Sequence, residues 1–163
     1  MKIIYPGSFD PFTYGHYDVL MRAAKNFEEV RILVLNNMQK KYMFSITERL
    51  NIVKDYIKDA KEQKNITADT YEGLLIDYAK KYNYKASLRG LRAVDDFEME
   101  LQMANANRTL YKNFETFFLM TDPNFSFVSS TVVKQVIIHG GDVSLWVSDY
   151  VIEMFEKKLN ESM

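Results

Sequence analysis

A short stretch near the start of the chain holds residue types that could bind a phosphate group. An apolar run ends at Gly7, a polar turn containing Ser8 follows, and a helix is expected to open near Gly15 and His16. A strand, a tight turn and a helix N-terminus collect unpaired backbone N–H groups and the positive end of a helix dipole. His16, with Thr13 three residues before it, adds a donor whose strength depends on protonation. The stretch therefore predicts an anion site, most often one for phosphate.

Two arginines and a lysine could extend this chemistry. Arg89 and Arg92 bracket Gly90 in an expected turn, and guanidinium groups donate in pairs to phosphate oxygens while staying charged. Lys40 lies in a polar loop and could contact the same anion. A simpler interpretation stays open for each: the arginines could pair with nearby acids such as Glu100, and Lys40 could be solvated.

Three consecutive hydroxyl residues, Ser129, Ser130 and Thr131, stand at the start of a later predicted helix. Such residues most often act as an N-cap. The functional interpretation requires a phosphate at this helix start, where hydroxyls and free amides would meet it. Both interpretations stay open at this point. Glu100, in the middle of another predicted helix, would ordinarily be assigned to the surface.

Composition limits the class of protein. The chain has 163 residues, of which 47% are hydrophobic, and no apolar run is long enough for a membrane span. With 21 Lys and Arg against 22 Asp and Glu, the net charge is -1. This balance argues against nucleic-acid binders and binders of acidic membranes, because both depend on a basic surplus. The absence of Cys excludes disulfides and thiolate metal sites. We expect a single domain over residues 1–163 and a cytoplasmic location.

Strand and helix patterns alternate along the chain. Apolar runs predict strands at residues 2–5, 30–35, 66–71, 85–88 and 116–120. Apolar residues at helical spacing predict helices near residues 16–25, 46–60, 74–82, 94–111, 129–138 and 147–159. The inner face of the longest helix is expected to carry Phe97, Leu101, Ala104 and Leu110. The alternation predicts a Rossmann-like α/β fold, a doubly wound five-stranded parallel sheet with helices on both faces and a C-terminal helical extension.

The predicted sheet brings the candidate residues to one edge. In open parallel sheets, ligands bind outside the carboxyl ends of the strands. The segments after the first, second, fourth and fifth strands should meet there, namely residues 8–16, the loop around Lys40, residues 89–92 and residues 124–131. Three of these segments carry cations, hydroxyls or helix-start amides, so their convergence favours a phosphate site.

Several sequence blocks resemble known enzymes. The first, Tyr5-Pro-Gly-Ser-Phe-Asp-Pro11 with Thr13-Tyr-Gly-His16, resembles the opening motif of nucleotidyltransferases that carry a T/H-x-G-H signature. That signature specifies only the superfamily. Residues 89–100 (RGLRAVDDFEME), 105–108 (NANR) and 126–131 (SFVSST) resemble the bacterial phosphopantetheine adenylyltransferases in particular. The resemblance runs in order over essentially the whole chain.

This resemblance implies transfer of AMP from ATP to 4′-phosphopantetheine, which yields dephospho-coenzyme A and pyrophosphate in coenzyme A synthesis. The implied catalytic residues are His16, Lys40 and Arg89, with Mg²⁺ carried on the ATP phosphates. The implied ATP contacts are Ser8, Phe9, His16, Gly90, Leu91, Arg92, Glu100, Phe125, Ser126, Phe127, Val128, Ser129, Ser130 and Thr131. The implied phosphopantetheine contacts are Ser8, Lys40, Leu75 and Arg89. A homohexamer and feedback binding of coenzyme A are implied as well.

Three positions depart from residues that are frequent in this family. Ser8 stands where Thr is frequent, Leu75 where Met is frequent, and Phe125 where Trp is frequent. Ser8 keeps the hydroxyl, and the other two positions remain apolar. The resemblance therefore implies a pocket that differs in shape more than in chemistry.

The residue types suit a nucleotidyl transfer. Two polyanions must be held in line while charge grows at the α-phosphate, so positioning and cations supply most of the catalysis. The acceptor phosphate is already ionised at neutral pH, which favours direct in-line attack without a general base. Two alternatives stay open. One is another small nucleotidyltransferase, using CTP with a phosphorylated alcohol or ATP with nicotinamide mononucleotide, and the other is a nucleotide-binding regulatory module without catalysis.

Overall fold

One parallel sheet of five strands lies in the part of the chain that the computed structural model describes, residues 1–60, 63–92 and 94–161. The strands are β1 (Lys2–Gly7), β2 (Glu29–Leu35), β3 (Ile66–Tyr71), β4 (Ala86–Leu91) and β5 (Glu115–Met120). They are ordered β3-β2-β1-β4-β5, so β1 is central. The winding direction of the chain reverses between β1 and β4, and this is the topological switch point of the sheet. The predicted sheet is confirmed.

Helices connect and follow these strands. In the described ranges they are α1 (Tyr14–Ala24), α2 (Ile46–Asp59), α3 (Leu75–Lys81), α4 (Val94–Leu110), α5 (Ser130–Ile138) and α6 (Asp149–Glu161). A capping box opens α2, where the Glu48 N–H donates to Ser45 Oγ at 3.2 Å and the Ser45 N–H donates to Glu48 Oε2 at 2.7 Å. Within the described residues, every helix is too short or too polar to cross a membrane.

Both faces of the sheet are covered. Side chains alternate between the two faces along a strand. Ile3 of β1 belongs to a core cluster that includes Leu20 of α1 and Phe155 of α6. Ile4, its neighbour, belongs to a second cluster with Ile76 of α3. Helices therefore pack on both faces, and the predicted doubly wound arrangement is confirmed.

The strand β4 is longer than predicted. The sequence predicts its end at Leu88 and a turn from Arg89, but the strand continues through Leu91, which pairs with Met120 of β5. Met120 is distant in sequence, so the pairing that extends the strand is not visible in the residues around Leu88. The apolar run alone therefore underestimates the length of β4. Arg89 and Gly90 consequently lie in the sheet itself, and the expected turn at these two residues is wrong.

The predicted inner face of α4 is also wrong. Phe97, Leu101 and Leu110 are exposed, and Ala104 is half-buried. Apolar and polar residues are spread around all sides of this helix, so the spacing of the apolar ones does not single out one face. Ala93, which precedes α4, lies outside the described residues.

Candidate active site

A cavity of about 50 Å³ lies at the switch point, where β1 and β4 end beside the start of α1. Its lining consists of Tyr5, Thr13, Gly15, His16, Gly90, Arg92, Thr121 and Val128. Ligands of open parallel sheets bind at this place. Of the predicted site residues, His16, Gly90, Arg92 and Val128 are brought together here. Three of the four segments expected at the edge therefore meet at one cavity.

The turn after β1 is shaped by a contact between Phe9 and Gly7. Phe9 has a φ of 49°, which is uncommon for a bulky residue. A Cβ at Gly7 would lie 2.6 Å from the Phe9 ring carbon Cζ. Gly7 therefore lets the ring fold back over the strand end. There the Phe9 ring packs edge-on against the His16 imidazole, with centroids 5.2 Å apart.

Thr13 fixes the tautomer of His16. The Thr13 N–H donates to His16 Nδ1 at 3.1 Å, and the Thr13 hydroxyl lies 3.0 Å from the same nitrogen. Because Nδ1 accepts a main-chain hydrogen, the proton of the neutral imidazole is on Nε2. The two residues form a capping box at the start of α1 in which His takes the usual place of Glu. His16 is thus held as an Nε2–H donor.

The surroundings of His16 keep it neutral. Burial, with smaller contributions from Arg92 and Arg89, lowers the pKa of His16 from 6.5 to about 3. The sequence led us to expect a donor whose strength depends on protonation. The structure instead gives a neutral donor across the physiological range, because burial and two guanidinium charges disfavour the imidazolium.

A carboxylate orients Arg89 at the end of β4. Arg89 Nε donates to Glu100 Oε2 at 2.6 Å, and Arg89 Nη2 donates to Glu100 Oε1. Arg89 Nη1 donates to the Pro6 carbonyl at 2.6 Å. The side chains of Arg89 and Glu100 are 32% and 18% exposed. Of the acids considered as alternative partners of the arginines, Glu100 does pair with Arg89, and this paired geometry fixes the plane of the guanidinium group.

Sequence reasoning missed an ion pair between the buried Asp10 and the half-buried Lys134. Asp10 accepts the N–H groups of Met43 and Phe44, both at 3.0 Å, and the ammonium of Lys134 at 2.8 Å. The carboxylate therefore joins the turn after β1, the loop before α2 and helix α5. No local pattern marks Lys134, whose partner comes from the other end of the chain.

A buried arginine was missed as well. Arg49 is 1% exposed, and it donates to the carbonyls of Ser8 at 2.6 Å, Leu35 at 3.1 Å and Phe44 at 3.1 Å. Burial lowers the pKa of its guanidinium group. The sequence did contain a signal, since Arg49 lies at helical spacing from Val53 on the buried stripe of α2.

Known proteins resemble this chain over nearly its whole length. The profile of the family described as Cytidylyltransferase-like matches residues 4–136. A phosphopantetheine adenylyltransferase from Dictyoglomus thermophilum is 46% identical over 158 residues, which cover 97% of this chain and 94% of that protein. One from Petrotoga mobilis is 45% identical over 159 residues, covering 98% of this chain and 94% of that protein. The chain belongs to the phosphopantetheine adenylyltransferase family.

Members of this family are nucleotidyltransferases, and the fold agrees. The solved structure of a nicotinic acid mononucleotide adenylyltransferase from Plasmodium falciparum, complexed with NaAD, matches with a TM-score of 0.74. The match covers 96% of this chain and 94% of that chain, at 16% identity. Identity this low shows the fold alone. The Rossmann-like fold and the family resemblance drawn from the motifs are both confirmed.

None of the four residues that the family resemblance assigns to phosphopantetheine lines the cavity. Arg89 is held beside it by Glu100 and the Pro6 carbonyl. Lys40 is exposed in the loop between β2 and α2. Leu75 begins α3 and packs against the core cluster of Ile4. The Oγ of Ser8 lies 3.4 Å from the Tyr42 phenol oxygen. The contacts of these residues with phosphopantetheine stay predictions.

The segment assigned to ATP in this family lies before and at the start of α5. Ser129 Oγ accepts the Val132 N–H at 3.0 Å, and Ser130 Oγ donates to the Pro11 carbonyl at 2.7 Å. Of the others, Phe127 and Thr131 are exposed, Phe125 and Ser126 are half-buried, and Val128 is buried. Ser129 therefore caps the helix, and Ser130 ties it to the turn after β1. Their contacts with ATP stay predictions.

Proposed function

We propose that this chain transfers AMP from ATP to 4′-phosphopantetheine, forming dephospho-coenzyme A and pyrophosphate. The proposal is carried by the fixed His16 donor, which shares a switch-point cavity with Gly90 and Arg92 in a chain of this family. An oxygen of the acceptor phosphate forms a bond to the α-phosphorus of ATP. The bond from that phosphorus to the bridging oxygen of the β-phosphate breaks, and pyrophosphate leaves with its electron pair.

His16 acts as a hydrogen-bond donor in this step. Its Nε2–H is fixed by the Thr13 amide before substrate arrives, so little reorganisation is needed during the reaction. A donor of this kind stabilises the charge that develops on phosphate oxygens in the transition state, typically by about 10²- to 10³-fold in rate. Because the acceptor phosphate is ionised, His16 does not need to remove a proton.

Arg89 and Lys40 supply the positive charges that would hold the phosphate of phosphopantetheine. Glu100 and the Pro6 carbonyl fix the orientation of Arg89, which suits a group that must meet a phosphate at a defined angle. Lys40 contributes from its exposed loop between β2 and α2. Attack on a bound, neutralised phosphate is then mainly a matter of placing the two substrates in line.

Mg²⁺ enters with ATP, on the triphosphate oxygens. The cavity lining offers hydroxyl, imidazole and guanidinium groups, and among its described residues none carries a carboxylate. This donor set fits a nucleotide that brings its own cation, since Mg²⁺ prefers phosphate, carboxylate and water oxygens. When bound, the ion would neutralise part of the charge on the leaving pyrophosphate.

The proposed assembled state is a homohexamer. β5 is an edge strand whose Met120 is 60% exposed, and the helix before it exposes Met99, Met103 and Leu110. An edge strand beside an apolar helix is a surface that proteins usually cover. Light scattering should give six times the chain mass. A chain that remains monomeric at micromolar concentration would contradict this assembly.

Feedback by coenzyme A follows from the proposed reaction. Coenzyme A contains the phosphopantetheine and adenylyl groups of the product, so it should compete with phosphopantetheine at the same site. A rise in the KM for phosphopantetheine with added coenzyme A is expected, and an unchanged KM would contradict it. The proposed location is the cytoplasm, where ATP is available, and cell fractionation tests this.

The first test is pyrophosphate release with ATP, Mg²⁺ and 4′-phosphopantetheine. Release should require the acceptor and should fall by about 10²-fold or more in His16→Ala, because one transition-state donor is lost. His139→Ala is the matched control, since His139 is exposed at the end of α5 and should be replaceable without loss. A wild-type protein that binds ATP but releases no pyrophosphate would show that 4′-phosphopantetheine is not the acceptor. A covalent AMP-protein adduct would reject direct attack.

A further inference from the structure

Tyr42 connects the loop that carries Lys40 to the turn after β1. The Asn37 N–H donates to its phenol oxygen, and the phenol lies 3.3 Å from the Asn37 carbonyl. The same oxygen lies 3.4 Å from Ser8 Oγ. One phenol group therefore contacts both the start of the Lys40 loop and a hydroxyl of the neighbouring turn.

The ring of Tyr42 rests on a buried cation. The guanidinium carbon of Arg49 lies 4.0 Å from the centre of the Tyr42 ring, an attractive cation–π geometry. Arg49 also donates to the Ser8 carbonyl at 2.6 Å. The main chain of Ser8 is thus held by Arg49, and its hydroxyl lies within reach of Tyr42. Tyr42, Arg49 and Ser8 therefore form one connected cluster.

We propose that Tyr42 is a positioning residue for the acceptor phosphate. It orients the Ser8 hydroxyl and holds the Lys40 loop beside it. This inference rests on the proposed function and on the contacts of Ser8 and Lys40 with phosphopantetheine that the family resemblance implies. The one proton of the Tyr42 phenol is donated to the Asn37 carbonyl in this structure. When Ser8 O–H donates to a phosphate oxygen, the Tyr42 O–H can turn to Ser8 Oγ and fix the serine rotamer, while the Asn37 N–H still donates to the phenol oxygen. Two phosphate contacts that come from separate loops are then set by a single side chain.

The variant Tyr42→Phe isolates the hydroxyl. The Phe ring can keep its packing on Arg49, so the folded loop is retained while the contacts to Ser8 and Asn37 are lost. We expect the KM for 4′-phosphopantetheine to rise about 3- to 10-fold, the cost of one ordinary hydrogen bond. The KM for ATP should rise by less, because Ser8 is assigned to both substrates and Lys40 to phosphopantetheine alone. Tyr82→Phe, on an exposed tyrosine at the end of α3, is the matched control and should leave both constants unchanged.

A double variant tests whether Tyr42 acts through Ser8. In a Ser8→Ala background, Tyr42→Phe should raise the KM for phosphopantetheine by a smaller factor than it does in the wild type, because the oriented hydroxyl is gone and only the hold on the Lys40 loop remains. An equal rise of both KM values in Tyr42→Phe, or the same fold-change with and without Ser8, would overturn the proposal. So would an unchanged KM for phosphopantetheine in Tyr42→Phe, when the wild type turns over normally. A wild type without turnover would instead reject the proposed function.

Limited proteolysis gives a readout that does not depend on turnover. Trypsin cleaves after Lys40 and Lys41, which are exposed in this loop, and cleavage requires the loop to open locally. Tyr42→Phe should speed cleavage at these two bonds about 3- to 10-fold, since the bonds to Asn37 and Ser8 that close the loop are lost. Cleavage at the wild-type rate would overturn the loop-holding part of the proposal.

Discussion

The ammonium of Lys134 lies 2.8 Å from the carboxylate of Asp10, although 124 residues separate them in sequence. The pair joins helix α5 to the turn after β1. The same carboxylate accepts two amides of the loop before α2, from Met43 and Phe44. One buried carboxylate therefore fixes the turn after β1, the loop before α2 and helix α5 relative to one another.

Lys134→Met should lower the free energy of unfolding by about 2 kcal/mol, because it leaves Asp10 buried with only its two amide donors. Urea titration measures this change. Lys157→Met, at an exposed lysine of α6, is the control and should change stability by less than about 0.5 kcal/mol. In an Asp10→Asn background the Lys134→Met cost should shrink, because no buried charge remains. Additive costs would show that the two side chains do not act as a pair.

Stability should depend on pH through His16. The pKa of its imidazole is about 3 in the folded chain against 6.5 ordinarily. Between these values the unfolded state binds the extra proton, so stability rises with pH up to the ordinary pKa and is level above it. The slope contributed by this group is at most about 1.4 kcal/mol per pH unit. His16→Asn should remove it, and His139→Asn should not. Urea titrations between pH 4.5 and 7.5 measure the free energy of unfolding of both proteins. The same dependence of this free energy on pH in wild type and His16→Asn would contradict the buried, neutral state.

Glu100→Gln should lower kcat/KM by about tenfold or more, because the two charge-assisted bonds that orient Arg89 are weakened. Steady-state kinetics with phosphopantetheine varied measures this. Glu98→Gln is the control, since Glu98 is exposed on the same helix. If Glu100→Gln has wild-type kinetics, the orientation of Arg89 does not limit the reaction.

Gly7→Ala should displace the Phe9 ring, because the added Cβ would lie 2.6 Å from it. Overpacking of this kind typically costs about 1–3 kcal/mol of stability. The KM for ATP should rise as well, since Phe9 is a predicted nucleotide contact and packs against His16. Thermal unfolding and ATP kinetics measure the two effects. Unchanged values of both would show that the turn relaxes around the methyl group at no cost.

The fold could be predicted because its strands are short apolar runs and its helices carry apolar stripes. What the sequence could not supply was pairing between distant segments. β4 continues past Leu88 because Leu91 pairs with Met120, and β1 continues to Gly7 because that residue pairs with Val34. The buried face of α4 could not be predicted for another reason. Apolar and polar residues are spread around all sides of this helix, so no apolar stripe marks one face.

The site could be predicted only where one segment carries its own chemistry. His16 stands in the same turn as the Thr13 that fixes it, and its motif is readable. Lys134 gains meaning only through Asp10 at the other end of the chain. Arg49 is an intermediate case, because its place on the buried stripe of α2 is readable from the sequence, whereas its carbonyl partners Ser8 and Leu35 are not.

The central position of β1 determines how the catalytic turn that follows it is lost on heating. β1 is hydrogen-bonded on both sides, and Ile3 and Ile4 are fully buried. Amides in such a strand exchange with solvent only when the whole domain opens. The turn that presents Phe9 and the donor of His16 is attached directly to this strand. Heat should therefore inactivate the enzyme at the temperature of global melting, without an earlier, local loss of the catalytic turn.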